Sequence, residues 1–334
     1  MKHPRPTLRT ISELTGLSLS TVSLALRGGE KLKAETRDKV REAAERVGYV
    51  PDKAGVRLRT GRADAIGIIL DGREDSVGFS RNLIRGINDA AGERSISLNV
   101  YPEFDRVTSE RTIRTLVSSG HVDGLILTHT EPQDRRVKML LELDFPFATH
   151  GRTELFTPHA YHDFDSARFV EMGLRLIADA GSKHVLAVLS DNKTFNHRNV
   201  WRSFETCLGQ YNLTGEVHED RPNPEQHIVQ IRELGMKIAK DGVPYDAILC
   251  DNELVAISLV TGLRDAGVVV GKDLQIVSKQ TSNLLPALFP NVIGLEETVY
   301  ESGKELARLL FDCMDGVDVE KLQTLAKPIL HKST

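Results

Sequence analysis

Between Ser18 and Lys31 the chain places Leu19, Ser20, Thr21 and Ser23 ahead of Arg27 and Lys31. The first four are short or flexible side chains carrying hydrogen-bonding or methyl groups. Set on one helix, they suit base edges in a DNA major groove, while the two cations suit phosphate oxygens. A second grouping, His159, His162, Asp163 and Asp165, holds metal-ligand types but lacks the tight Cys/His spacing of a zinc site, and no metal is assigned. Cys207, Cys250 and Cys313 stand far apart and make neither a disulfide framework nor a ligand set, so buried thiols are expected. No nucleophile elbow, glycine-rich phosphate loop or Ser-His-Asp order is present. The expectation is therefore a protein with no catalytic residues and no cofactor, not an enzyme.

Helices must position the groove-reading set. Thr7 can cap a first helix whose apolar positions are Leu8, Ile11 and Leu14, and Gly16-Leu17-Ser18 breaks it. Ser18 can cap a second helix with Leu19, Val22, Ala25 and Leu26 inward, ended by Gly28-Gly29. A third helix is predicted from Ala34 to Val47 through Val40, Ala43 and Ala44, stopped by Gly48, with Lys33 at a poorly capped start. Two helices joined by a tight turn are the helix-turn-helix arrangement. Residues 52–61 carry Lys53, Arg57 and Arg59 with no core of their own and read as a linker or hinge. Charge agrees with this division: residues 1–62 hold 14 Lys and Arg against 7 Asp and Glu, and the remainder holds 29 against 40. A basic head on an acidic body is the layout expected when only the head meets a polyanion.

From Ala65 apolar runs alternate with amphipathic helices. Ile66–Leu70, Ser97–Tyr101, Gly124–Leu127, Phe145–Thr149, Val185–Leu189, Ala247–Cys250 and Leu274–Val277 read as strands of parallel, doubly wound sheets. About 270 residues of this pattern fits two lobes. Val122–Leu127 faintly echoes Tyr245–Cys250, as two similar lobes would produce. No run approaches the roughly 20 apolar residues of a membrane helix, and Met1 to Thr10 lacks a signal-peptide core, so a cytoplasmic chain is expected. The expected fold class is α/β: a small all-helical helix-turn-helix head (1–50), a hinge helix or linker (51–62), and a two-lobed doubly wound body (63–334).

The segment Thr7 to Ser23, then Glu35 to Val40, Gly48-Tyr49-Val50-Pro51 and Leu58-Arg59-Thr60-Gly61-Arg62 together resemble the head and hinge of the LacI family of transcription regulators. Arg85-Gly86-Ile87, Val122–Ile126 and Gly294-Leu295 extend the resemblance more loosely over nearly the whole chain. It implies a body resembling periplasmic sugar-binding proteins, a homodimer, and a small effector between the lobes that alters operator binding. It also implies a repressor of near-palindromic operator DNA. DNA contacts would come from Thr7, Leu19, Ser20, Thr21, Ser23, Arg27 and Lys31. In the hinge, Lys53 and Arg57 would meet phosphates and Leu58 would act as a minor-groove wedge. Leu24 stands where many relatives have Arg or His, so a bidentate Arg–guanine contact is not available there.

In a two-lobed α/β body the ligand lies beyond the carboxyl ends of the strands. Candidates are Phe79 by family position, then Thr128, Arg152, Asn252, Glu253, Lys279 and Gln280 after strands, with Arg198 beside the position of a family arginine that is Val200 here. Gly151 and Gln280 replace two carboxylates of the family pattern. The expected cleft is polar and somewhat basic, for a sugar, sugar acid or sugar phosphate. Two other readings compete: a sugar-binding or transport protein with the same body, opposed by the basic head, and an α/β enzyme, opposed by the missing phosphate loop.

Overall fold

The computed structural model describes residues 6–28, 32–49, 61–72, 78–190, 193–219 and 228–331. Contacts divide the chain between Ala63 and Asp64 into two compact units.

Among its described residues the first unit has three helices, α1 (Leu8–Thr15), α2 (Leu19–Leu26) and α3 (Ala34–Val47). Ile11, Val22, Ala25, Val40, Ala43 and Ala44 form its buried centre, each helix giving residues at helical spacing. This is a core of very few side chains, so its caps matter. Thr7 and Thr10 make a reciprocal capping box on α1. α3 begins at Lys33 without a side-chain cap, as its sequence predicts, and ends at Gly48 in the left-handed region.

The second unit contains β1 (Ala65–Asp71), α4 (Phe79–Glu93), β2 (Ser97–Glu103), α5 (Arg106–Ser119), β3 (Gly124–Leu127), α6 (Arg135–Glu142), β4 (Phe147–His150) and β5 (Ala160–Phe164). It continues with α7 (Ser166–Asp179), β6 (His184–Val188), α8 (Phe195–Gln210), β7 (Thr214–Val217), α9 (Ile228–Lys240), β8 (Ala247–Cys250), α10 (Glu253–Asp265) and β9 (Gln275–Gln280). Last come α11 (Leu284–Leu288), β10 (Ile293–Glu296), α12 (Val299–Met314), β11 (Gln323–Ala326) and β12 (Ile329–Leu330).

The strands make two six-stranded sheets, ordered β11-β5-β4-β3-β1-β2 and β12-β10-β9-β8-β6-β7. All pairs are parallel except β10 with β12. The two orders are the same winding: the chain starts in the sheet, steps to one edge, then reverses to build the other side. The reversal falls between β1 and β3 in one lobe and between β6 and β8 in the other. The echo between Val122–Leu127 and Tyr245–Cys250 lands on this equivalence: Asp123 N donates to Ala65 O and Asp246 N to His184 O.

Three connections pass between lobes. β5 lies in the first sheet, but α7 packs Phe169, Val170, Leu174 and Ile177 into the second lobe. β10 lies in the second sheet, but α12 packs Val299, Leu306, Leu310 and Phe311 into the first. β11 then returns to the first sheet before β12 ends in the second. β7, β11 and β12 have no apolar run: β7 is largely exposed, and edge strands need only one covered face, so periodicity does not mark them.

Candidate nucleic-acid interface and ligand cleft

The turn between α1 and α2 is held from both sides. Gly16, at φ 69°, donates its N–H to Ser12 O, and Ser12 Oγ donates to Leu17 O at 2.6 Å. Ser18 then caps α2 by accepting from Thr21 N, and its hydroxyl lies 2.8 Å from both Ser20 Oγ and Thr21 Oγ1. Three hydroxyls therefore gather at the helix N-terminus, the end whose dipole favours phosphate. Leu19 is 50% exposed, so its expected inward placement does not hold: the three-helix core is filled by Val22 and Ala25, and Leu19 lies a turn away on the outer face. Leu14, read as an apolar position of α1, is likewise exposed because Ile11 and Thr15 occupy the inward side. Leu24 is exposed as well. Ser23 is half-buried and its carbonyl accepts from Arg27 Nε at 2.8 Å, which lays the guanidinium along the helix. Thr7 caps α1. Lys31, Lys53, Arg57 and Leu58 lie outside the described residues.

In the first lobe the carboxyl ends of β1 and β3 bring Phe79 and His129 together. Phe79 is buried edge-on to His129, 6.1 Å between centroids, and to His150, 5.2 Å. His129 has φ 53°, a backbone strained for a side-chain-bearing residue. Two guanidiniums hold it there: Arg106 Nη2 donates to His129 O at 2.7 Å and Arg136 Nη2 at 3.3 Å. Arg136 also pairs with Glu103 and Asp134, each at 2.7 Å, and all three side chains are almost wholly buried. Burial pushes the His129 imidazole down to about 4, against the pull of Asp71, so the ring is neutral near pH 7. Thr128 is fully buried and its hydroxyl donates to Ile69 O, internal work that joins β3 to β1.

Where the chain passes between lobes, charged groups meet in pairs. Arg152 Nε donates to Asp163 Oδ2 at 2.7 Å, and Asn196 Nδ2 donates to Asp163 Oδ1 at 2.7 Å. Arg152 also stacks over Phe195, 4.8 Å to the centroid. Burial pushes the Asp163 carboxyl up, with Arg152 opposing. Lys279 Nζ lies 2.5 Å from Glu297 Oε2 and 4.6 Å from the centroid of Phe164, and His150 Nε2 donates to Glu297 Oε1 at 3.1 Å. Burial works to raise the Glu297 carboxyl, but Lys279 and His150 hold it well below the usual carboxylate range. Phe195 N donates to Thr130 O at 3.0 Å, a main-chain bond from the second lobe to the first.

The remaining expected ligand residues separate. Arg198 reaches Glu154 at 2.9 Å, with Arg202 beside it at 3.4 Å, on the rim. Asn252 caps α10 by accepting from Leu254 N and Val255 N. Glu253 is 1% exposed and accepts from Thr281 N and Oγ1, Ser282 N and Oγ, and Leu285 N, so its carboxylate braces the start of α11. Gln280 is buried against Gly294, where an added Cβ would stand 1.9 Å from Gln280 Oε1. Lys279 and Gln280, being adjacent in a strand, take opposite faces. Of the residues expected from sequence, Phe79, Arg152 and Lys279 lie beside His150, Asp163 and Glu297 respectively, and Asn196 shares Asp163 with Arg152; the sequence analysis did not name these four neighbours as ligand candidates. Glu297 directly follows β10, so the end-of-strand rule applied to that strand would have found it.

His159 and His162 do not join Asp163 around a common point. His159 bonds to Thr149 and stacks on Phe147, while His162 bonds to Ser302 and Thr324. Among the described residues no group of three or more His, Cys, Asp or Glu is placed to hold a metal ion, and no helix is long and apolar enough to cross a membrane.

Residues 7–52 match the family model described as bacterial regulatory proteins, lacI family, and residues 168–334 match a periplasmic binding protein-like domain. The HTH-type transcriptional regulator AglR of Rhizobium meliloti (strain 1021) is 28% identical over 309 residues, covering 90% of this chain and 84% of that protein. The crystal structure of the Lac repressor bound to ONPG in its repressed state superposes with a TM-score of 0.84 at 18% identity, covering 99% of this chain and 100% of that one. A complex of the transcriptional regulator CelR with cellobiose superposes at 0.69 with 21% identity, covering 99% and 100%.

Proposed function

The chain belongs to the lacI family of bacterial regulatory proteins and is a DNA-binding transcription regulator; from that premise we propose that it is a homodimeric, cytoplasmic repressor whose operator affinity is set by a carbohydrate-type effector held between the lobes. The observation that supports this reading is the pair of sheets with the same winding, joined where Arg152 bonds Asp163, Asn196 bonds Asp163 and Lys279 pairs with Glu297. Ligands of open α/β sheets enter at such points, and the CelR relative was solved with cellobiose.

In this reading α2 enters the major groove. Ser20, Thr21 and Ser23 face polar base atoms, Leu19 and Leu24 offer apolar contact to thymine methyls, and Thr7 and Arg27 face the backbone. Residues 51–62 act as the hinge: Lys53 and Arg57 meet phosphates, and Leu58 wedges a minor-groove step. A change in lobe angle alters the separation of two such hinges and so the fit of two heads to a near-palindrome.

The test is fluorescence anisotropy of the full chain on tiled fragments of its own genome, over a salt series, with and without a carbohydrate panel. One fragment is expected to bind far above background, with affinity falling steeply as salt rises, and to respond to a sugar. Uniform affinity for every fragment, or no response to any carbohydrate, overturns the reading.

A further inference from the structure

We infer that the cleft takes a neutral polyhydroxylated ligand, and that His197, with Asp251 behind it, receives one of its hydroxyls. The inference rests on the carbohydrate reading above and narrows it.

The first ground is the pairing of charge. A basic cleft was the expectation from sequence, yet its cations are already matched. Arg152 holds Asp163, Lys279 holds Glu297, and Arg198 and Arg202 share Glu154. Arg106 and Arg136 bind Glu103, with Glu131 and Asp134 at their other sides. A phosphate or carboxylate entering here would meet a carboxylate beside every one of these cations. It would have to break a pair and leave a buried charge unmatched. A neutral ligand need disturb none of them.

The second ground is an unused donor and acceptor. His197 stands on the first turn of α8, 8% exposed, and neither ring nitrogen has a hydrogen-bond partner. Its Nδ1 is 3.7 Å from Asp251 Oδ2, beyond bonding distance, while Asp251 Oδ1 takes Ser190 N at 2.9 Å and Ser190 Oγ at 3.0 Å. These residues follow β6 and β8, the reversal point of the second lobe. A hydroxyl both donates and accepts, so it can meet a ring nitrogen whether or not that nitrogen carries a proton. An ionised phosphate or carboxylate accepts only, and would stand against Asp251. Gln280, the last residue of β9, repeats the pattern: it is buried, and neither Oε1 nor Nε2 has a partner.

The experiment is titration calorimetry on the full chain with glucose, galactose, maltose, melibiose and cellobiose, and with glucose 6-phosphate and glucuronate. A neutral sugar is expected to bind, the anionic sugars at least about tenfold more weakly. His197→Ala should lose about tenfold in affinity for that sugar, and His197→Gln, which keeps a donor and an acceptor, should recover part of it. An anionic sugar binding tighter than every neutral one overturns the inference, as does His197→Ala binding like the parent. Should the alanine variant fail to fold, Asp251→Asn decides: it should raise binding of anionic relative to neutral sugar, and an unchanged ratio overturns the inference. If no sugar of either class binds, the carbohydrate reading itself has failed.

Discussion

Three buried histidines make this body sensitive to acid. Burial pushes His129, His159 and His162 each down from 6.5 to about 4. All three are neutral in the folded protein at pH 6 and bind protons more readily once unfolded. Between about pH 6.5 and 4 the unfolded chain therefore holds more protons, and stability falls as pH falls, by up to about 1.4 kcal/mol per pH unit for each histidine. Glu297 acts in the same direction at lower pH: its depressed pKa contributes stability above about pH 4.5 that is lost on further acidification. Urea midpoints measured from pH 7 to 4 should shift downward, and His162→Gln should shift less than the parent over that window. His162 is the one to replace because glutamine can still reach Ser302 and Thr324. Identical pH slopes for parent and variant would show that His162 is not neutral in the fold.

Among the described residues each lobe has a helix pair that touches through glycine. In the first, a Cβ on Gly86 of α4 would stand 2.1 Å from Tyr300 O, and one on Gly303 of α12 would stand 2.4 Å from Leu83 O. In the second, Gly262 of α10 meets Arg232 O at 1.9 Å and Gly235 of α9 meets Leu259 O at 2.4 Å in the same construction. These contacts are backbone against backbone, so no side chain can swing away. Gly86→Ala and Gly262→Ala are each expected to lower stability by about 1–3 kcal/mol. Gly209→Ala, where nothing lies within 4 Å, should be neutral or slightly stabilising because it sits inside α8. Thermal unfolding of the three variants checks this, and a Gly86→Ala midpoint equal to that of Gly209→Ala would contradict the close approach. The same comparison explains why Gly86 is legible in the Arg85-Gly86-Ile87 motif, whereas its partner Gly303 carries no local signal.

At the scale of the molecule the chain divides between Ala63 and Asp64, and charge divides with it. A protein starting at Asp64 keeps both sheets and every crossing between lobes, so it should fold and retain the effector affinity of the full chain within about twofold. It should lose DNA binding at all salt concentrations, since the 14 cations of residues 1–62 are gone and the rest of the chain is acidic. Anisotropy on the best genomic fragment and calorimetry with the best sugar, run on the same preparation, give both readouts. Retained operator binding by the truncated chain would place the DNA contacts elsewhere.

Sequence by itself determined the three helices of the head and most of the central strands of the body, in their order. Thr7, Ser18, Gly16 and Gly48 are cap and stop residues that act within a turn or two, so α1, α2 and α3 are readable without any neighbour. The central strands are buried on both faces and stand out as apolar runs. Charge segregation along the chain announced a DNA-binding head. Tertiary structure alone decided which end-of-strand residues pair across the passage between lobes. Thr128 and Glu253 obey the same positional rule as Arg152 and Lys279, yet their polar atoms are bonded within their own lobe. It also decided which cations are matched: Asp163 and Glu297 reach Arg152 and Lys279 because β5 and β10 each end where the chain passes between lobes. A local pattern records what each residue can offer, whereas the partner that cancels its charge stands at 11 positions' distance for Arg152 and lies beyond any helical or strand period. That separation is why Arg152 and Lys279 read as free cations in sequence and are paired with carboxylates in the fold.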